Sequence, residues 1–199
     1  MEPLIIEPQT LTPEQYLQTE REAIRELTGK HELVNGQLIT MSGATEIHNT
    51  IAANILALLW FYSKGKKLKT YGSDMRVYNP LNESFCYPDV CVVQGAPEMS
   101  DANKDVLLNP VLVVEVLSPT TERFDRSDKL RIYLSMPSVR EYLLVAQEGV
   151  GLESYYKTDE GQWIYTEITQ INATLLLQSI GLTLSAEEVY EGVVFAIDK

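Results

Sequence analysis

Basic residues are scarce in this sequence: Lys and Arg total 16 against 28 Asp and Glu, leaving a net charge of −12. That balance excludes tight, sequence-independent binding to a phosphate backbone across the whole surface, because such binding rests on basic side chains displacing counterions. A local basic patch stays open. The one cluster, "KGKKLK" at residues 64–69, reads as a helix end followed by a solvated turn. Cysteine is scarcer still. Cys86 and Cys91 are the only two, too few for a disulfide framework or a cysteine metal site, and reduced thiols in a cytoplasmic setting are expected. No apolar run is long enough to span a bilayer. The opening "MEPLIIEPQT" has neither the basic start nor the apolar stretch of a secretory signal. Internal repeats, low-complexity tracts and linkers are lacking too. The 199 residues, 45% of them apolar, therefore predict one domain over 1–199 with a sizeable core.

What is present reads as a mixed α/β chain. Thr12-Pro13-Glu14-Gln15 has the form of a helix start: Thr12 caps, Pro13 suits the first helical position and Gln15 completes a capping box. The helix is expected to run to about Thr28 and stop at Gly29. In "HELVNGQLITM" the Asn35-Gly36 pair between apolar runs predicts a two-residue hairpin. Ile47, Ile51, Ile55, Leu58 and Leu59 recur at helical spacing and predict a long buried helix. "SDMRVY" and "YPDVCVV" predict two strands around a turn in "NPLNES", with a Gly-, Pro-, Asp- and Asn-rich loop after them. "VLVVEVL" is short and rich in β-branched residues, as a central strand is. "TTERFDRSDKLRIYLSM" carries the Leu130, Tyr133 and Leu134 stripe of an amphipathic helix. A strand at "REYLLVA", a hairpin in "LESYYKTDEGQWIYTEI" and a capping box at Ser185-Ala186-Glu187-Glu188 for a short last helix complete the order.

Two of these strands carry awkward acids. Asp89 heads an apolar strand, and Glu115 interrupts a run of valines and leucines. A buried ionised carboxylate is costly unless it is neutralised, paired or bound to a metal. Alternate residues of a strand share a face, so neighbouring strands with aligned faces would bring the two carboxylates together. Converging carboxylates repel, and a divalent cation removes the repulsion. Magnesium, or manganese, suits two carboxylates completed by water and substrate phosphate oxygens, and there it polarises a phosphoryl group and activates water. Lys129 lies on the helix after the second strand. If that helix packs back on the sheet, the ammonium reaches the same place, where it can orient the attacking water or stabilise developing charge. Asp125, four residues earlier, shares its helical face.

The order Glu32, Pro88-Asp89, "VVEVLSP" with Glu115, Asp125, Lys129, Tyr133 and "REYLLV" resembles the Uma2 group of endonucleases in the PD-(D/E)xK nuclease superfamily, over nearly the whole chain. The resemblance implies an α/β, restriction-endonuclease-like fold: an αβββαβ core with a mixed central sheet, flanking helices and added hairpins. It implies Asp89 and Glu115 as metal ligands for magnesium or manganese, Glu32 completing the acidic shell, and DNA as substrate. One position departs from the superfamily pattern, which has Lys two residues after the second acid, where Leu117 stands. Lys129 matches the place to which the lysine has moved in this group. Cutting both strands of a duplex favours a homodimer.

Each residue also has a plainer reading. Asp89 can simply start a strand. Glu115 can be half of a buried ion pair with Arg76 or Lys129. Lys129 can pair with Asp125 alone on a helix surface, and Glu32 can be an exposed hairpin residue. His48, at the start of a buried helix, reads as capping or packing rather than as a base. Asp74 can face the cleft or serve its turn. Ser118 lacks a nearby His to activate it, and Tyr155, Tyr156, Trp163 and Tyr165 read as cross-strand packing. Two functions therefore compete. One is a metal-dependent DNA endonuclease with Asp89, Glu115, Lys129 and Glu32 as its catalytic set. The other is a nuclease-fold binding or interaction module with weak or no catalysis, favoured by the net charge and by Leu117. Hydrolysis of another phosphodiester, such as RNA, is a third option.

Overall fold

Helix α1 (Pro13–Glu26) begins where the capping box places it. The Thr12 N–H donates to Gln15 Oε1 at 2.9 Å and the Gln15 N–H to Thr12 Oγ1 at 3.3 Å. The computed structural model describes residues 10–26, 29–41 and 43–195, so the expected end of this helix at Thr28 lies outside them. β1 (His31–Val34) and β2 (Gln37–Thr40) form the expected hairpin. Asn35 and Gly36 both take positive φ, 51° and 77°, as a type I′ turn requires.

α1 is held to β1 by a buried acid that the sequence does not advertise. Glu20 is fully buried and accepts the His31 N–H at 2.9 Å, faces His31 Nδ1 at 3.0 Å, and accepts the Tyr87 hydroxyl at 3.0 Å. A buried donor left without an acceptor costs about 1–3 kcal/mol. Glu20→Ala strands several at once, so a loss of about 2–4 kcal/mol in denaturant unfolding is expected. A loss below about 0.5 kcal/mol would mean that water replaces the carboxylate.

The remaining strands fall into two larger sheets. One has the order β2-β1-β5-β4-β7, with β4 (Arg76–Asn79), β5 (Ser84–Cys86) and β7 (Val106–Leu107). The other has six strands in the order β11-β10-β9-β8-β6-β3. They are β3 (Leu68–Gly72), β6 (Val90–Gln94), β8 (Leu112–Val116), β9 (Glu141–Val145), β10 (Leu152–Lys157) and β11 (Trp163–Ile168). Only β8 and β9 run parallel within it, and the crossover between them is helical. That crossover comprises α3 (Glu122–Phe124), a π-helical turn over Asp125–Lys129, and α4 (Leu130–Ser135). With α2 (Glu46–Ser63) in front, the order α2, β3, β6, β8, crossover, β9 is the expected αβββαβ core. A small sheet of β12 (Thr174–Leu177) and β13 (Leu182–Ser185), with α5 (Ala186–Val189), closes the chain.

The central sheet is buried on both faces. Ile51, Ile55 and Leu59 of α2 pack on Val90, Val92, Leu112 and Val114. The alternate residues Cys91, Val93, Val113 and Leu117 face Ile132, Tyr133 and Met136 of the crossover, together with Val34, Val77 and Cys86 of the other sheet. This explains the near-continuous apolar strands. It also fixes where the acids point: Asp89 and Glu115 share the parity of Cys91 and Val113 and so face the crossover.

Several expectations need correcting. The strand at "MRVY" does not pair with the Pro88-Asp89 strand; the turn in "NPLNES" leads into β5, which intervenes, and β6 pairs instead with β3 and β8. The end of "KGKKLK" is strand, since β3 starts at Leu68. The expected loop after β6 contains β7, and the β12–β13 hairpin was not foreseen. The Ser185 side chain makes no capping hydrogen bond to α5. The β10–β11 hairpin is as expected, with Tyr155 opposite Tyr165 and their rings 5.1 Å apart. Among the described residues no helix is long and apolar enough to cross a membrane.

Candidate active site

Antiparallel register brings the two acids together. β6 and β8 pair with Val90 opposite Val114, and one step further along the same register Asp89 stands opposite Glu115. Directly opposite residues of such a pair have Cα atoms about 4.5–5.5 Å apart and share a face. The Asp89 carboxylate bridges the strands, because its Oδ2 accepts the Val116 N–H at 2.7 Å. Its Oδ1 lies 3.1 Å from His48 Nε2, on the first turn of α2.

The crossover supplies the cation. Lys129 Nζ lies 3.0 Å from Glu115 Oε1, 3.0 Å from Glu32 Oε1 and 3.5 Å from Asp125 Oδ1. The Tyr133 hydroxyl donates to the same Glu115 oxygen at 3.1 Å, and the Tyr87 N–H donates to Glu32 Oε1 at 2.8 Å. Lys129 and Glu115 are only 5% and 3% exposed. A π-helical turn carries Asp125 and Lys129, and the Tyr142 hydroxyl donates to the Asp125 carbonyl at 3.2 Å. Such turns are rare inside helices and cluster at functional sites.

Burial and charge shift these groups in a consistent pattern. Burial pushes the Glu115 carboxyl well above the usual carboxylate range; Lys129 opposes the rise, while Asp125, Asp89 and Glu32 add to it. Glu32 is raised by burial against the pull of Lys129 and the Tyr87 N–H, and Asp125 is raised by burial as well. Burial works against the charge on Lys129, but Glu115, Glu32 and Asp125 outweigh it and hold the amine well above its ordinary value. Lys129 is therefore a cation here, not a base. Burial alone would favour a neutral His48; the Asp89 hydrogen bond and charge overcome that and raise its pKa.

Of the residues expected from the sequence, Glu32, Glu115 and Lys129 come together with Asp125, and Asp89 stands beside Glu115 at the head of the neighbouring strand. Glu32 is buried rather than exposed on its hairpin. Lys129 does not pair with Asp125 alone. Arg76 takes no part with Glu115; its partner is Asp105 at 2.6 Å. Asp74 is exposed, pairs with Lys30 and lies outside the cluster. Sequence reasoning placed Tyr133 in the apolar stripe of its helix and in the ordered set of residues behind the resemblance but gave it no task at the site, although its position four residues after Lys129 put it on the same helical face. It also gave His48 to capping or packing. The cap of α2 is in fact Thr45, whose Oγ1 accepts the His48 N–H at 3.2 Å.

Among the described residues no three His, Cys, Asp or Glu side chains are set to enclose a metal by themselves. Two facing carboxylates still fit magnesium or manganese, which keep several waters and take hard oxygen donors. Each Asp89 oxygen engages one donor and retains a second lone pair. Three carboxylates, Glu115, Glu32 and Asp125, surround the one ammonium of Lys129, and Asp89 acts on Glu115 from the facing strand; such an acidic cluster suits a divalent cation.

Known proteins resemble the chain over most of its length. The family model Uma2, described as a putative restriction endonuclease, matches residues 13–187. The uncharacterized Synechocystis sp. protein sll1609 is 35% identical over 83% of this chain and 91% of its own length. Its counterpart slr1290 is also 35% identical, over 93% of this chain and 94% of its own length. The crystal structure of a putative nuclease belonging to DUF820 from Anabaena variabilis superposes with a TM-score of 0.75 at 16% identity, covering 92% of this chain and 99% of that one. The shared fold is restriction-endonuclease-like.

Proposed function

Because this chain belongs to the Uma2 family of putative restriction endonucleases, we propose that it is an endonuclease that hydrolyses DNA phosphodiester bonds with magnesium or manganese held by Asp89 and Glu115. Family and fold support a nuclease function. The observation that supports the finer reading is that Asp89, at the head of β6, and Glu115 of β8 fall on one face of the paired strands, with the buried Lys129 ammonium 3.0 Å from Glu115. When bound there, a divalent cation supplies Lewis-acid polarisation of a phosphoryl oxygen and lowers the pKa of water.

The chain's own residues prepare that place. Lys129 faces three carboxylates and must give up a contact before it can donate to water or phosphate. Its first task is to oppose the burial that favours a neutral Glu115 and to fix where its Oε1 lies. Glu32 acts through Lys129: its Oε1 is taken by the ammonium and by the Tyr87 N–H, so it positions the lysine rather than the metal. Tyr133 donates to Glu115 and limits its rotation. Two copies of the chain, one for each strand of a duplex, suit this reaction.

The test is incubation with supercoiled, linear and single-stranded DNA in magnesium or manganese, beside a Glu115→Ala control. Cleavage by the wild type and none by the control is expected. Equal outcomes on every DNA substrate would remove the DNA reading, and the same comparison on RNA then tests the other phosphodiester. A binding or interaction module with weak or no catalysis is the second reading, favoured by the net charge of −12 and by Leu117; it expects no cleavage in the same samples and no magnesium or manganese binding by calorimetry.

A further inference from the structure

We infer that His48 is a positioning residue that sets the metal affinity of the site by orienting Asp89, an inference that rests on the metal-dependent reading above. The Asp89 carboxylate is held from two different elements: His48 Nε2 of α2 lies 3.1 Å from Oδ1, and the Val116 N–H of β8 donates to Oδ2 at 2.7 Å. Two donors on two oxygens fix the plane of the carboxylate, leaving the remaining lone pairs aimed in one direction.

The plainer roles of His48 do not explain this placement. Thr45 performs the capping of α2, so the imidazole is not needed for it. The ring is mostly buried, at 14% side-chain exposure, and its Nδ1 is buried without a hydrogen-bond partner. Here the ring's one side-chain hydrogen bond among the described residues goes to Asp89. The turn that carries His48 is itself anchored, because the Thr45 hydroxyl donates to Gln147 Oε1 at 3.2 Å, tying α2 to the segment after β9. Gln147, Thr45, His48 and Asp89 thus form a chain of contacts that ends on the acid.

The test is a calorimetric titration of the intact protein with manganese chloride alone, comparing wild type with His48→Ala, His48→Asn and His48→Gln, and with Asp89→Asn as a control. A glutamine amide reaches where Nε2 stands, and the shorter asparagine does not. Losing a residue that orients a metal ligand lowers affinity about 10- to 100-fold. His48→Ala and His48→Asn are expected to show that loss, and His48→Gln to stay within about threefold of wild type. If His48→Ala does not fold, the Asn and Gln variants carry the comparison. Wild-type affinity in the Ala or Asn variant, or an equal loss in all three, overturns the inference and leaves the metal reading standing. No manganese binding by the wild type, or undiminished binding by Asp89→Asn, overturns the metal reading itself, and this inference with it.

Discussion

Lys129→Met is expected to destabilise the protein by about 3–5 kcal/mol in denaturant unfolding at neutral pH, the usual loss when one partner of a buried ion pair is removed. Methionine keeps much of the stem's packing, so the loss reports the charge. The ammonium lies 3.0 Å from both Glu32 and Glu115 and 3.5 Å from Asp125, and without it these buried carboxylates face one another uncompensated. The deficit has a definite pH dependence. Glu115 and Glu32 are already raised above the usual carboxylate range by burial, and losing the cation raises them further. The folded variant then binds more protons than the unfolded chain between the unfolded carboxylate pKa and the raised folded values. Its stability therefore falls as pH rises through that window and recovers as pH falls below it. The double variant Lys129→Met/Glu115→Gln is expected to regain part of the loss, since one unpaired charge goes with the other. A Lys129→Met protein as stable as the wild type at neutral pH would show that the ammonium does not hold the cluster together.

Asp89→Asn and Glu115→Gln are expected to behave in the opposite way, with large effects on cleavage and small ones on folding. Each keeps the shape of the side chain while removing a negative charge from a crowded acidic cluster. Asp89→Asn retains an oxygen for the Val116 N–H. In Glu115→Gln, Lys129 still has Glu32 and Asp125 as partners. Thermal unfolding temperatures are therefore expected to hold or rise. Cleavage with magnesium is expected to fall by about 100-fold or more, because several kcal/mol of metal-derived stabilisation is lost and each 1.36 kcal/mol is tenfold in rate. Loss of stability with retained cleavage would reverse the assignment and make these acids structural.

What was legible in the sequence was local. The Thr12–Gln15 box, the Asn35-Gly36 turn and the apolar period of α2 each specify their own backbone within a few residues. The alternation that put Asp89 with Cys91 and Glu115 with Val113 was local too, and it placed both acids on one face. What escaped was decided by contacts between distant segments. β5 displaced the Pro88-Asp89 strand from its expected hairpin because sheet pairing is chosen by the whole fold. The hairpin alone left Glu32 open between an exposed residue and a member of the acidic shell; it is buried because it shares the face of Val34, which packs against the central sheet and the crossover. Nothing in "TEIHN" reveals that the first turn of α2 ends against Asp89. The Ser185 cap shows the converse: a good motif whose side chain makes no bond in its context.

The central claim is that Asp89 and Glu115 jointly hold a divalent metal, and anomalous diffraction from crystals soaked in manganese tests it most directly. A single peak within about 2.5 Å of an oxygen of each carboxylate is the expected result. A soaked crystal with no peak between them, or with manganese bound only at other side chains, from a protein that cleaves DNA in the same manganese concentration, would contradict it.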